Sequence, residues 1–225
     1  RKPDAVDGVD LQVEEGERVG FLGPNGAGKS TVLKSVSGLL SLEDGEVTSG
    51  EITFKDRSVT RTSPDTLVHL GLFHMMEGRH VFEDLTVEEN LRTGLVGRSD
   101  GLREIPDSIF KLFPVLKQML GRRGGDLSGG QQQQLAIGRA LASGPRLLIL
   151  DEPTEGIQPN IVHEIGDIII QLNREESLTV LLVEQKLPFA RRVATGFDLM
   201  ERGRVVASGD IAELSEDLIQ RHLAV

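Results

Sequence analysis

Three glycines, a lysine and a serine lie within one eight-residue segment, GPNGAGKS, at residues 23–30. Gly23, Gly28, Lys29 and Ser30 fit the spacing GxxxxGK[ST], in which glycines let backbone N–H groups approach a phosphate chain closely. The lysine adds a positive charge, the serine hydroxyl offers an oxygen to Mg²⁺, and the following helix start attracts an anion. A chance glycine turn is the alternative, but the flanking strand and helix patterns argue against it. We therefore predict a loop that binds nucleotide phosphates.

Two adjacent carboxylates follow an apolar run in the segment LLILDEPT at residues 147–154. Asp151 would end a buried strand, where a carboxylate can hold the water shell of Mg²⁺. Glu152 would then polarise the water that attacks a phosphate. Such a pair is often only the start of a loop, but with the phosphate loop upstream it predicts phosphoryl-transfer chemistry.

A second anion-binding pattern lies in LSGGQ at residues 127–131. Ser128, Gly129 and Gly130 would present a hydroxyl and bare backbone amides at the start of a helix. A serine-capped helix with a glycine turn is the alternative. Since one nucleotide does not easily need two such helix starts from one subunit, we expect this segment to face a nucleotide held by another copy.

The elements that must position these segments alternate between apolar strands and amphipathic helices. RVGFL, RLLILD and LTVLLVEQ are typical of buried parallel strands, GEITFKD of a strand on an antiparallel edge, and Val9, Leu11 and Val13 alternate as in a half-exposed strand. FDLMERGRVVASG predicts a hairpin that turns at Arg202-Gly203. The pattern predicts a single α/β domain with a mainly parallel sheet and an antiparallel β edge. Its core would comprise residues 1–75 and 145–225, with a helical lobe inserted at 76–144.

The predicted helices carry recognisable boundary signals. Thr86 with Glu89 forms a capping-box pattern, Pro114 should break a helix, and Pro159 suits a first helical turn. The helix after the phosphate loop should end near Gly38. A terminal helix is predicted in EDLIQRHLAV.

Composition narrows the functional classes. The net charge of −10 and the 4% aromatic content argue against nucleic-acid binding, and the absence of cysteine excludes disulfides and thiolate metal sites. The first ten residues lack a signal-peptide core, and no window has the roughly 18 uninterrupted apolar residues of a membrane span. We expect a cytoplasmic protein.

GPNGAGKST, LSGGQ and LLILDEPT, in that order, resemble the nucleotide-binding subunit of ABC transporters across essentially the whole chain. The resemblance implies a P-loop NTPase core, ATP and Mg²⁺ as cofactors, transmembrane permease subunits, and a second ATPase subunit, identical or paralogous. It implies a location at the inner face of the cell membrane, held there by the permeases. The residues that it implies for nucleotide binding are Gly23, Asn25, Gly26, Ala27, Gly28, Lys29, Ser30, Thr31, Ser128, Gly129, Gly130 and Gln131. The implied metal ligands are Ser30, Asp151 and Glu77, and the implied catalytic residues are Glu152 and Gln185.

Four positions depart from the family pattern. Glu77 lies where most relatives have a glutamine, which leaves metal contact in place but puts signalling to the membrane subunit in doubt. Gln185 lies where many have a histidine, so a neutral hydrogen-bond donor would support the γ-phosphate. Gln158 replaces an aspartate of the loop that crosses the dimer interface. RKPDAV lacks the usual aromatic, so either preceding sequence supplies it or aliphatic contacts such as Val6 hold adenine.

Three further stretches resemble the branch that serves branched-chain amino acid and urea importers. They are EGRHVFEDLTVEENLRTG, FPVLKQMLGRRGGDLSGGQQQQLAIGRAL and DEPTEGIQPNIVHEI. Within this branch, the residues around 110–135 and 154–160 resemble the urea or short-amide type more. The alternatives are an exporter ATPase of the lipid or lipopolysaccharide type, a soluble ABC ATPase outside transport, and a nucleotide-binding regulator without turnover. Intact Glu152 and Ser128 weigh against the regulator.

Overall fold

The structure is a computed structural model that describes residues 6–223 of the 225-residue chain. Within these residues the strands are β1 (Arg18–Leu22), β2 (Thr53–Phe54), β3 (Arg57–Ser58), β4 (Leu72–Met75), β5 (Leu147–Asp151), β6 (Thr179–Val183), β7 (Gly196–Glu201) and β8 (Arg204–Asp210). The α-helices are α1 (Lys29–Val36), α2 (Pro64–Leu70), α3 (Val87–Leu95), α4 (Asp107–Leu112), α5 (Pro114–Gln118), α6 (Gly129–Ala142), α7 (Pro159–Glu176), α8 (Leu187–Val193) and α9 (Glu216–His222). Short 3-10 helices lie at Leu39–Glu43, Gly124–Asp126 and Ile211–Glu213.

Six strands form the main sheet in the order β4-β5-β6-β1-β7-β8. The first five are parallel, and only β8 runs antiparallel, at the edge beside β7. The predicted α/β fold with a mainly parallel sheet and an antiparallel edge is confirmed. In this order β6 separates β1 from β5, so the two strands that precede the predicted phosphate and acidic segments flank a common neighbour.

Helices cover both faces of the sheet, because successive strand residues point to opposite sides. In β5, Leu148 and Leu150 belong to one buried cluster and Ile149 to another; in β6, Leu182 and Leu181 divide in the same way. The first cluster includes side chains from α3 to α8, and the second includes side chains from α1 and α2. The strands are therefore buried on both faces, which explains their continuous apolar runs.

The boundary signals of the helices are borne out. Thr86 and Glu89 form a reciprocal capping box at the start of α3, and Pro114 separates α4 from α5. Pro159 is the first residue of α7, and α1 ends before Gly38, which has a φ of 71°. The terminal helix is α9. The hairpin β7–β8 turns at Arg202 and Gly203, both with positive φ.

One strand prediction was wrong, and another was correct only for the strand itself. Residues 9–13 form no strand, although Val9, Leu11 and Val13 do alternate toward the second cluster, because among the described residues no backbone partner lies beside them. GEITFKD does not lie at the edge of the main sheet. Within residues 6–223 its strand β2 pairs with β3 alone, in a separate two-stranded antiparallel sheet.

The segment between β4 and β5 contains α3 to α6 and no named strand. The first cluster joins side chains of this segment to those of β5, β6 and α7. The division into a core (1–75 and 145–225) and a helical lobe (76–144) stays a prediction. Among residues 6–223, none of the helices combines the length and apolar character needed to cross a bilayer.

Candidate functional site

The phosphate loop, residues 23–30, joins β1 to α1 through an open backbone turn. Gly26 and Gly28 have φ values of 77° and 106°, which glycine adopts readily. Apart from the adjacent residues, no atom of the described chain lies within 4 Å of where a Cβ on Gly26 would stand, so this side of the loop is open. At Gly23 a Cβ would lie 2.3 Å from the Met200 carbonyl oxygen on β7, so packing requires glycine there.

Lys29 is buried within the curve of this loop. Its Nζ donates hydrogen bonds to the carbonyl oxygens of Gly23 at 2.7 Å and Pro24 at 3.0 Å. Burial lowers the pKa of the ammonium, while the charges of Glu152 and Asp151 oppose this shift. The lysine predicted to neutralise phosphate charge therefore lies close enough to the predicted acidic pair to interact with it electrostatically.

The remaining predicted residues of this segment differ in exposure. Asn25, Gly26 and Ser30 are exposed, Thr31 is half-buried, and Ala27 is buried. The Ala27 carbonyl accepts a hydrogen bond from the backbone N–H of Gly203 at 2.8 Å. The turn of the β7–β8 hairpin thus holds the phosphate loop in place through this hydrogen bond.

Asp151 and Glu152 follow β5 as the sequence predicts. Asp151 pairs with Val183 of β6 and is buried, and desolvation with the nearby charges of Glu152 and Glu77 raises its pKa to about 6. Glu152 is half-buried and has a φ of 47°, an unfavourable conformation for a residue with a Cβ. Its backbone N–H donates to the Val183 carbonyl at 2.9 Å, which fixes this turn.

Gln185 meets Glu152 from the end of the neighbouring strand. The Nε2 atom of Gln185 donates a hydrogen bond to Oε1 of Glu152 at 2.5 Å. The structure thus brings together the two residues implied to be catalytic.

Sequence reasoning missed Glu184, which ties these two loops together. Its carboxylate is only 3% exposed and accepts hydrogen bonds from the backbone N–H groups of Thr154, Gln185 and Lys186 at 3.2, 3.0 and 3.0 Å, and from the Thr154 hydroxyl. Lys186 Nζ also donates to the Thr154 carbonyl at 2.7 Å. A glutamate at the end of an apolar strand gives no sequence signal for such contacts, because its partner lies 30 residues away.

Glu77 lies beside the acidic pair. Glu77, Glu152 and Glu155 form an acidic cluster whose carboxylate oxygens lie within 4.8 Å of one another. Burial, the Glu152 charge and a hydrogen bond with Glu155 raise the pKa of Glu77. A cleft of about 330 Å³ is lined by Asp151, Glu152, Glu155 and neighbouring residues. Carboxylate oxygens are ligands that Mg²⁺ prefers, but among the described residues this cluster contains only Glu77 of the three implied metal ligands.

The 128 segment, residues 128–131, forms the first turn of α6. Ser128 Oγ accepts from the Gln131 N–H at 3.4 Å, and Gln131 Oε1 accepts from the Ser128 N–H at 3.0 Å. Ser128 is exposed, and Gly129, Gly130 and Gln131 are half-buried. Within residues 6–223 no hydrogen bond links this segment to the phosphate loop. The serine cap that the sequence allowed is therefore present, and a contact with a second molecule stays a prediction.

The structure describes where two of the departures from the family pattern lie. Gln158 is exposed and precedes α7. Val6 is half-buried and packs against the second cluster, while residues 1–5 of RKPDAV lie outside the described residues.

Comparisons with known proteins give a consistent family. The model of the family described as ABC transporter matches residues 6–155, which is more than half of the chain. The high-affinity branched-chain amino acid transport ATP-binding protein BraG of Pseudomonas aeruginosa is 41% identical over 91% of this chain and 86% of its own. The probable branched-chain amino acid transport ATP-binding protein LivF of Archaeoglobus fulgidus is 35% identical over 92% and 86%.

Solved structures agree with the sequence relatives. A dimeric ATP-binding cassette in a post-hydrolysis state with ADP and Pi has a TM-score of 0.80 at 26% identity, over 92% of this chain and 90% of that one. An ATP-binding cassette of an ABC transporter in its ADP conformation has a TM-score of 0.78 at 29% identity, over 96% and 87%. The fold, the order of the three motifs and the matched family model therefore agree that the chain belongs to the ABC transporter family.

Proposed function

We propose that this chain is the ATP-binding and ATP-hydrolysing subunit of an ABC importer for branched-chain amino acids. Membership of the family confirms the predicted class of enzyme, an ATPase coupled to transport. The solute is the finer step, and it is supported by the names of the relatives BraG and LivF.

The observation that carries the proposal is the convergence of Lys29, Asp151, Glu152 and Gln185 at the ends of three neighbouring strands. Lys29 and the backbone of the phosphate loop bind the β- and γ-phosphates of ATP. Glu152 orients a water molecule for in-line attack on the γ-phosphate and accepts its proton. Gln185 holds the Glu152 carboxylate and donates a neutral hydrogen bond toward the γ-phosphate.

The acidic residues also support a magnesium site. Ser30, Asp151 and Glu77 would hold the ion. Burial first, and neighbouring carboxylates second, raise the pKa values of Asp151 and Glu77, and a bound cation would oppose both effects. The ion, when bound, offsets the negative charge of the phosphates. Glu77 in place of glutamine adds a further charge to this donor set.

A dimer would complete each nucleotide site. The 128 segment is exposed at a helix start and makes no hydrogen bond to its own phosphate loop within the described residues, which supports a contact with ATP held by the partner. The dimeric cassette with ADP and Pi, similar in fold, supports the same arrangement. Permease subunits would hold the dimer at the inner face of the cell membrane.

Two closely related proposals differ only in the transported solute: branched-chain amino acids, or urea and short amides. The 41% identity to a branched-chain amino acid ATP-binding protein favours amino acids, while the resemblance to urea or short-amide importers stays a prediction. The exporter and the soluble non-transport ATPase gain no support from the relatives named above.

The proposal is tested in two assays. Purified chain with Mg²⁺ and ATP should release phosphate steadily, and cells lacking the gene should lose uptake of labelled leucine but keep uptake of labelled urea. Wild-type protein should restore leucine uptake and the Glu152→Gln variant should not. Loss of urea uptake alone would move the assignment to the urea branch, and absence of phosphate release would refute the ATPase.

A further inference from the structure

The guanidinium of Arg79 contacts two segments far from it in the chain. Its Nη2 donates to the Gly156 carbonyl at 3.1 Å, and its Nη1 lies 3.5 Å from Oε1 of Gln132 on α6. Gly78, Arg79 and His80 have φ values of 94°, 65° and 46°, so three consecutive residues adopt a left-handed backbone. An unfavourable turn of this kind persists only where surrounding contacts fix it.

Two glycines make room for this guanidinium. A Cβ on Gly129 would lie 2.9 Å from Nη1 of Arg79, and a Cβ on Gly156 would lie 3.0 Å from Nη2. Real Cβ atoms essentially never come closer than 3.0 Å to another heavy atom. A side chain at position 129 would therefore force the guanidinium to move, whereas one at position 156 would only touch it closely, and the φ of 64° at Gly156 favours glycine in any case.

The three segments that meet here are those that carry the candidate chemistry. Arg79 follows Glu77 by two residues, Gly156 follows Glu152 by four, and Gly129 directly follows Ser128. An arginine suits this position, because its planar guanidinium can donate hydrogen bonds to acceptors on two segments at once.

We propose that Arg79 is a positioning residue that couples the 128 segment to the loop after Glu152, so that the two segments move as one unit. Gly129 then has a function within its own chain: it admits the guanidinium. The phosphate-binding interpretation explains Gly129 only through contact with a nucleotide held by a second molecule. The contact with Arg79 gives a reason for this glycine within a single chain.

The functional consequence rests on the proposed function. In the dimer, Glu152 acts on the ATP of its own subunit, while the 128 segment completes the site of the partner. Arg79 would thus link the two nucleotide sites through each subunit. Loss of the link should make the sites act independently, and the dependence of the ATPase rate on ATP concentration should lose its steepness.

A double-mutant cycle on thermal unfolding without nucleotide tests the contact itself. Gly129→Ala alone should displace the guanidinium, and the loss of its contacts should offset what alanine gains over glycine in a helix, so that Tm stays nearly unchanged. In the Arg79→Ala background the same change should raise Tm by about 2–4 °C, because alanine favours a helix more than glycine does and no guanidinium has to move. Alanine keeps the Cβ at position 79, so the backbone conformation carries a similar cost in both backgrounds.

Gly130 provides the matched control for this cycle. A Cβ there would lie 3.0 Å from Cγ1 of Ile161 on α7 and not beside the arginine. The Arg79–Gly130 cycle should therefore be additive. Additive behaviour of the Arg79–Gly129 cycle would overturn the proposed contact.

The ATPase assay tests the coupling. Arg79→Ala and Arg79→Lys should both bind ATP as the wild type does but show a Hill coefficient near 1, below that of the wild type, because lysine lacks the fork. A variant that hydrolyses ATP with the wild-type steepness would refute the coupling and leave the proposed function intact. If the wild-type protein released no phosphate, the proposed function would fail, while the unfolding cycle would still decide the contact.

Discussion

The Gln185 amide donates to the Glu152 carboxylate, with 2.5 Å between Nε2 and Oε1, across 33 residues of sequence. Glu152 follows β5 and Gln185 follows β6, and the register of these parallel strands pairs Asp151 with Val183. The contact is therefore fixed by strand register. A slip by one residue would point the side chains to the wrong face and separate the two groups.

Replacing Glu152 by glutamine should preserve ATP binding and abolish turnover. The amide cannot accept a proton from water, and loss of a general base lowers rates by about 10²–10⁴-fold. Phosphate release and binding of a fluorescent ATP analogue measure the two effects separately. Glu175→Gln, at an exposed position of α7, is the control. Wild-type phosphate release by Glu152→Gln would contradict the assignment.

Replacing Gln185 should alter kcat more than KM. Gln185→Ala removes the hydrogen bond that holds the Glu152 carboxylate, and kcat should fall about 10–100-fold, as for a lost hydrogen bond to a charged group. Gln185→His should restore a donor and make the rate pH-dependent near pH 6.5, where histidine titrates. Steady-state kinetics across pH decide the point, and an unchanged kcat in the alanine variant would argue against any contribution of Gln185.

Lys29→Met should weaken ATP binding by about 10–100-fold, because a charge-assisted contact to phosphate is lost. Tm of the nucleotide-free protein should not fall much, since burial of the ammonium already lowers its pKa and removing the charge relieves that penalty. Titration calorimetry and thermal unfolding provide the measurements. Lys34→Met on the same helix should keep the wild-type affinity, and a large fall in Tm for Lys29→Met would instead indicate unfolding.

Glu184→Gln should destabilise the chain. The amide group can accept at only one atom, so a buried backbone N–H of Thr154, Gln185 or Lys186 loses its acceptor, at a cost of about 1–3 kcal/mol. Urea unfolding measures this free energy. Glu43→Gln is the control: it removes the ion pair between Glu43 and Lys34. Because the Glu43 side chain is 57% exposed, this substitution should change the free energy of unfolding little. Equal effects of the two substitutions would show that Glu184 does not tie the loops together.

His74 should make stability depend on pH. Its Nδ1 lies 2.9 Å from Ser37 Oγ, its Nε2 is buried without a hydrogen-bond partner among the described residues, and burial together with the Lys34 charge lowers its pKa from 6.5 to about 4. The unfolded chain therefore takes up a proton below pH 6.5 that the folded chain resists. This contribution to the free energy of unfolding is fully present above pH 6.5. The free energy should fall by up to about 3 kcal/mol as the pH decreases to 4.

The measurement for His74 is urea unfolding at intervals from pH 7.5 to 4. His74→Leu should flatten the decline across this window. His69→Leu, at an exposed position of α2, controls for the loss of a histidine as such. A His74→Leu profile as steep as that of the wild type would assign the decline to other groups.

The local parts of the fold and site could be predicted because their signals lie within a few residues. The phosphate loop, the placement of Asp151 at a strand end and the capping box at Thr86 each combine a short motif with an adjacent apolar pattern. The buried strands were recognised because they are apolar on both faces. The hairpin at Arg202 and Gly203 carries its own turn chemistry.

The failures and omissions concern which partner a segment has, or whether it has one, and a local pattern does not report this. Alternation at residues 9–13 reported which side chains face the core, but it could not show that the backbone lacks a neighbour. β2 has the composition of an edge strand, but in the part of the chain that the structure describes it pairs with β3 and not with the main sheet. Glu184 and Arg79 act through contacts with Thr154 and Gly156, across 30 and 77 residues, and no periodicity indicates such pairs.

The position of β6 between β1 and β5 sets the order in which this protein can mature on the ribosome. Residues 23–30 are made well before β6, and among the described residues β1 has no sheet neighbour until residues 179–183 have been synthesised. At about 5–20 residues per second, that interval of roughly 150 residues lasts about 8–30 s. Throughout it the backbone edges of β1 have no native partner strand among the described residues, so the nascent chain must keep this apolar strand from aggregating until residues 179–183 have emerged.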